Sequence, residues 1–360
     1  MATTFKTLTA NDIVNTRTLL HEAIPLTGTI ASGTYSDLNI KTYTHGMFES
    51  TFDYPFLSSS ANHIFDITHG YSNNSILSGT DSEGLRPQHA KKINIYNQMA
   101  AQLVGHSETG AILDFDQDGN IAAGGTKSTE VFFVNFARLL SKDEIKKGSF
   151  TMTFLTGGTP SDASPNPATN PIVLGDYNAA TSYFVNSPAG EYGLLYSSSA
   201  DANAEVHPQG FIYYQAGIAV VTGAIFSSGS TAAGELALLG TGDGASGSYS
   251  DIATSASIDV MALCLRNRLA DISFNNTVEL NSTIYFCRAN NNEFNYSANP
   301  TYLNSSKLRV KNTTSDNPVS YITTVGLYSS DNELLAVAKL SEPLKKDPNT
   351  ELTVRVRLDY

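Results

Sequence analysis

The chain has 360 residues, of which 41% are apolar and 16% charged, enough to bury a sizeable core and to divide into two or three domains. Its 34 acidic and 22 basic residues leave a net charge of -12, which argues against nucleic-acid binding, because neutralising phosphates takes clustered Lys and Arg. The absence of Trp beside 18 Tyr and 17 Phe suits a β-rich protein with neutral polar surfaces that pack against copies or partners.

In chain order, Met1-Ala2-Thr3-Thr4-Phe5-Lys6 lacks the charged and apolar parts of a signal peptide, and no stretch approaches the ~20 apolar residues of a membrane span. Synthesis and assembly in a cytoplasm are therefore expected, with no membrane partner. Residues 1–155 read as a mixed α+β region. Asn11-Asp12 ahead of Ile13, Val14, Thr18, Leu19, Leu20 and Ala23 predicts a capped helix over about residues 11–23. A second helix is predicted where Pro87 precedes Ile93, Tyr96, Ala100 and Leu103 at three- and four-residue spacing, with Gly105 as its stop. Strands are predicted at Val131–Phe136 and Ser149–Leu155, and the charged run Lys142–Lys147 between them as a solvated turn or short helix.

The composition changes at residues 156–257, an acidic region rich in Gly, Ser and Pro. The 118 residues from Gly148 to Leu265 contain no Lys or Arg but nine Asp or Glu. Pro160, Pro165, Pro167 and Pro171 mark a loop, strands are expected at Gly193–Tyr196, Phe211–Tyr214 and Ile218–Phe226, and residues 227–257 read as a Gly/Ser/Ala loop. From residue 258 to 360 a seven-strand antiparallel sandwich is expected, with strands near 258–265, 269–274, 277–288, 307–311, 321–328, 334–340 and 352–358. The fold class is thus mainly β with a few helices near the N-terminus.

Few groups of residues suggest chemistry. Asp114, Asp116 and Asp118 with Gly119 and Ile121 match the first eight positions of an EF-hand calcium loop, but its twelfth position, which needs a bidentate Glu, is Gly125. The loop is read as a polar hairpin tip between Ile112-Leu113 and Ile121-Ala122, with the three aspartates as its candidate cation ligands. Gly105-His106-Ser107-Glu108-Thr109-Gly110 misses a nucleophile elbow, because Thr109 carries a Cβ where Gly is required. The seven histidines show no metal spacing, and strand alternation sets His63 and Asp66 on opposite faces. Cys264 and Cys287 read as reduced strand residues, Asn281-Ser282-Thr283 as a polar loop, and the Gly157-Gly158 and Gly240–Gly244 runs as unsuited to phosphate. No cofactor, no catalytic residue and no enzymatic activity are expected.

The last forty residues are the most regular. Tyr321–Tyr328 and Leu334–Leu340 flank Ser329-Ser330-Asp331-Asn332 as the arms of a hairpin. In Leu352–Leu358 four aliphatics alternate with Thr and Arg, which makes one apolar face. Thr324-Val325-Gly326-Leu327-Tyr328, Glu333–Leu340 and Glu342-Pro343-Leu344-Lys345-Lys346 resemble C-terminal segments of structural proteins of contractile-tailed bacteriophages, especially T4-like phages of marine hosts. Ile284–Arg288, Asn292–Tyr302 and Tyr43–Phe48 resemble the same family, so the likeness covers most of the chain. The resemblance implies a virion component of the tail or baseplate, partnered by copies of itself and by other virion proteins. A head, neck or capsid-decoration component and a glycan-binding receptor module are the alternatives.

Overall fold

The computed structural model describes residues 5–25, 37–79, 86–121, 124–154, 171–226, 249–297, 303–304, 307–308, 315 and 317–360. Strand β1 (Ile13–Pro25) is followed by β2 (Ile40–Thr42), β3 (Glu49–Phe52), β4 (His63–Tyr71) and helix α1 (His89–Leu103). Next come β5 (Phe115–Asp116), β6 (Lys127–Ser128), β7 (Glu130–Phe136), α2 (Arg138–Ser141), β8 (Glu144–Ile145), β9 (Thr151–Phe154) and β10 (Ile172–Gly175). They are succeeded by β11 (Phe184–Ser187), β12 (Gly190–Leu195), α3 (Ser199–Ala204), β13 (Gly210–Tyr213) and β14 (Ile218–Thr222). Helices α4 (Tyr249–Ser255) and α5 (Ile258–Arg268) lead into β15 (Leu269–Ala289), then β16 (Leu303–Asn304), β17 (Lys307–Leu308), β18 (Ser320–Tyr328), β19 (Leu334–Lys346) and β20 (Leu352–Asp359). The protein is mostly β and its named strand pairs are antiparallel.

Two compact units form: Leu20–Val278, and a smaller one that joins Met1–Leu19 to Glu279–Tyr360. The larger is built on an eight-stranded sheet in the order β11-β12-β13-β14-β7-β4-β3-β2. Its central strands read as unbroken apolar runs because both faces are covered. In β7, Val131 and Phe133 enter a core with Ile95, Tyr96 and Leu103 of α1, while Phe132, Val134 and Phe136 enter a second core on the other face. That second core also gathers Met152 and Phe154 of β9, Leu174 of β10 and Ile272 of β15, so two antiparallel sheets share one apolar layer as in a β-sandwich. Helix α1 rests on β4 at Gly70, where a Cβ would stand 2.8 Å from the Lys92 carbonyl oxygen and 2.9 Å from the Tyr96 nitrogen.

In the smaller unit β15 is flanked by β1 and by β20. Eight antiparallel pairs run from Ser282↔Asp359 to Ala289↔Leu352. Val356 is buried and Leu352, Val354 and Leu358 are half-buried, whereas Thr353, Arg355 and Arg357 are exposed, as their alternation predicts. Strands β18 and β19 form the predicted hairpin, closed by the Ser329 amide donating to the Glu333 carbonyl at 2.9 Å.

Several expectations are corrected. Residues 13–25 form a strand, not a helix: Asp12 accepts from the Thr9 amide (3.0 Å) and hydroxyl (2.7 Å), so the capping signal closes only the single 3-10 turn Ala10–Asp12. Residues 258–265 form a helix rather than a strand, so Cys264 is helical. Lys142–Lys147 is not simply solvated, because Ile145 is fully buried and pairs with Asn276 of β15. Asn281-Ser282-Thr283 lies within β15, where Ser282 and Thr283 are buried. Residues 160–170 of the Pro160–Pro171 loop and the Gly157-Gly158 and Gly240–Gly244 runs lie outside the described residues, as do residues 227–248, while Tyr249–Ser255 of the expected 227–257 loop forms helix α4 instead.

Candidate functional site

The three candidate cation ligands point different ways. Asp114 accepts from the Ser72 hydroxyl (2.7 Å) and the Asn74 amide (2.8 Å), and Asp118 accepts from the Asn120 amide at 2.6 Å. Buried Asp116 is bound by the Lys127 ammonium at 2.6 Å, which supplies a positive charge within the loop. The hairpin arms are Phe115–Asp116 and Lys127–Ser128, inside and beyond those expected. Among the described residues no group of three or more His, Cys, Asp or Glu is arranged to hold a metal ion. Asp118 instead lines a small cleft with Asn178, Phe184, Tyr196 and Glu205.

The opposite-face assignment of His63 and Asp66 is overturned: His63 Nε2 lies 2.7 Å from Asp66 Oδ1. The register passes from Thr51↔Phe65 to Phe52↔His63, so a β-bulge adds one residue to β4 and brings His63 round to the face of Asp66. Ser107 sits in an exposed turn, its hydroxyl 2.9 Å from Thr109 Oγ1 and accepting from the Ala111 amide at 3.1 Å. Both cysteines are free, and burial pushes the Cys264 thiol up to about 12.

Several buried ionisable side chains, Lys92 and Asp176 among them, were not singled out from sequence. Lys92 is fully buried, and its Nζ donates to the Ala253 carbonyl (2.8 Å) and the Ala256 carbonyl (2.6 Å) at the C-terminal end of α4. A cation is the natural partner for the unsatisfied carbonyls that end a helix. Burial pulls the Lys92 ammonium down to about 8, and burial, with the Lys92 charge second, holds His69 far below its ordinary value. His69 Nε2 lies 2.9 Å from the Tyr249 hydroxyl. The signal for Lys92 was in the helical period, which puts it on the same stripe as Tyr96, Ala100 and Leu103.

Asp176 is also buried, and it accepts from the Gly148 amide (2.7 Å), the Phe150 amide (2.9 Å) and the Tyr214 hydroxyl (2.9 Å). Burial raises its carboxyl to about 6 against those three hydrogen bonds. The folded state thus holds this proton more tightly than the unfolded chain, so the contribution is full below about pH 4 and is lost as pH rises through 6. Urea titrations across pH 4–7 will show that component of the slope in the native protein and not in Asp176→Asn; equal slopes would mean that Asp176 ionises alike in both states.

The most unusual surface belongs to the smaller unit. Among its described residues only Ala289 and Val356 are buried apolar side chains. Tyr321, Tyr328, Leu334, Leu335 and Val337 of the β18–β19 ribbon are exposed, as are Ile13, Val14 and Leu19 of β1. The ribbon pairs with no third strand among the described residues, and an isolated two-stranded ribbon is marginal in water. Its base is tied down by buried Lys346, which donates to the Asn291 carbonyl (3.2 Å), Asn295 Oδ1 (2.7 Å) and the Asp347 carbonyl (2.9 Å). The unit carries eleven basic and ten acidic residues, against eleven and twenty-four in Leu20–Val278. Comparison with protein-family models, curated proteins and solved structures gives no match to any of the three.

Proposed function

We propose that this chain is a non-enzymatic structural component of a tailed-bacteriophage particle, placed in the tail or baseplate, and that it assembles through the smaller unit. The resemblance of its terminal segments to phage structural proteins supplies the setting. The observation that carries the assembly role is the shortage of buried apolar side chains among the described residues of a unit that exposes a ribbon rich in Leu, Val and Tyr. A surface of this kind gains stability by covering itself. The occupant best suited is the same unit of another copy, because its charges nearly balance and oppose close approach little, whereas the larger unit repels itself. The larger unit's acidic character keeps it off nucleic acid.

In the double variant Leu335→Asp, Val337→Asp, two exposed ribbon positions receive charge without disturbing a core. Light scattering will show the native chain as an oligomer and the variant as a monomer with an unchanged circular dichroism spectrum, and the variant will be absent from assembled particles. A native chain that stays monomeric at high concentration, or normal incorporation of the variant, would refute the role given to the ribbon. Detection of the native chain in the head or neck of labelled particles would refute the tail placement while leaving the assembly role standing.

A further inference from the structure

The outer face of β2, β3 and β4, in the larger unit, carries two groups of rings with a carboxylate between them. The register aligns Lys41 with Ser50 and Ser50 with Asp66 across the three strands. Thr51, Phe65 and Ile67 face the other way and are buried. On one side Tyr43 stacks on His45 with centroids 5.0 Å apart and an interplanar angle of 8°, and Phe48 lies 4.8 Å from Tyr43 and 5.1 Å from His45. On the other side Phe52 lies 5.5 Å from His63 and 6.4 Å from Phe56. His45 is exposed and the other five rings are half-buried, so the platform is open to solvent.

Asp66 sits between the groups with a fixed direction. Its Oδ1 accepts from the Ser50 hydroxyl at 2.5 Å and lies 2.7 Å from His63 Nε2, while the Tyr43 hydroxyl lies 3.2 Å from Ser50 Oγ. The side chains of His63 and Asp66 are 34% and 25% exposed, so the pair remains within reach of a ligand. The bulge in β4 creates this arrangement by bringing His63 beside Asp66.

We infer that this face is a binding site for a neutral or N-acetylated saccharide. A sugar ring has an apolar C–H face that lies on aromatic rings and a rim of hydroxyls that needs oriented acceptors and donors, which is the combination present here. A protein partner is less well matched, because interface centres are poor in Asp and Lys and this platform is centred on Asp66 beside Lys41. Nucleic acid and acidic glycans are disfavoured by the thirteen-charge acidic excess of the unit that bears the site. The inference is independent of the assembly role, since platform and ribbon lie in different units.

The test is an oligosaccharide array carrying neutral hexose oligomers, N-acetylhexosamine oligomers and uronic- or sialic-acid oligomers, probed with the full chain. Neutral or N-acetylated oligomers will bind and acidic ones will not. His45→Ala, at an exposed position, and Asp66→Asn will each weaken binding at least tenfold with the thermal unfolding midpoint unchanged for His45→Ala. Tyr321→Ala, in the other unit, will leave binding as it is. If Asp66→Asn does not fold, Tyr43→Phe, which keeps the ring and removes the hydroxyl, takes its place. No binding to any oligomer, binding confined to acidic oligomers, or binding that survives the platform variants would each overturn the inference.

Discussion

A chain lacking Leu352–Tyr360 will keep the larger unit folded and lose the smaller one. The deletion removes eight antiparallel pairs with β15 and the inward face of β20, on which Val356 is buried and three further aliphatics half-buried. A fully buried Val or Leu side chain contributes about 1.5–3 kcal/mol. The unit has only Ala289 as a further buried apolar residue among those described, so little is left to hold it. The two cysteines report on the units separately. Cys287 pairs with Val354 and will become freely reactive toward a thiol reagent, whereas Cys264 is fully buried in the larger unit and will stay protected. Protection of Cys287 in the truncated chain would show that β20 is peripheral.

Lys92→Ala will destabilise the larger unit by about 3–5 kcal/mol, from the cavity left by a long buried side chain and from the two helix-end carbonyls that lose their donor. That is a large share of the roughly 5–15 kcal/mol that holds a typical domain. Lys92→Met restores most of the volume and isolates the charge. The folded state lowers the lysine from 10.5 to about 8, so the contribution of this group is full above 10.5 and is lost as pH falls through 8. Denaturant midpoints will therefore show native stability rising relative to Lys92→Met between pH 8 and 10. A constant gap across that range would mean that the ammonium keeps its ordinary affinity for protons.

What could be read in the sequence depended on how each segment is solvated. The hairpin arms at 321–328 and 334–340, the alternation of Leu352–Leu358 and the stripe of α1 follow simple periods, and each forms as expected. Residues 258–265 failed because a short continuous apolar run fits a buried helix as well as a strand. The better guides were there: Ser257 before the run, Asp259 in the first turn, and Arg266 and Arg268 in the last. Ile13–Leu20 failed for the opposite reason, since all of these side chains are exposed and no buried face exists to set a period. Pairing with β15, far along the chain, makes that segment a strand. The aromatic platform and the His63–Asp66 contact depend on one bulge, a local irregularity that alternation alone does not reveal.

The smaller unit is discontinuous in the chain, and this fixes when it can form. Asn15 receives a hydrogen bond from Thr283 at 2.8 Å, 268 residues later, and β15 needs β20 from still further on. At a synthesis rate of about 5–20 residues per second, the ribosome takes many seconds to get from residue 15 to residue 359. Until β15 has been made, the exposed Ile13, Val14 and Leu19 of β1 are without their partner strand. The smaller unit, with its exposed ribbon, is therefore completed only after Val278, the last residue of the larger unit, has been made.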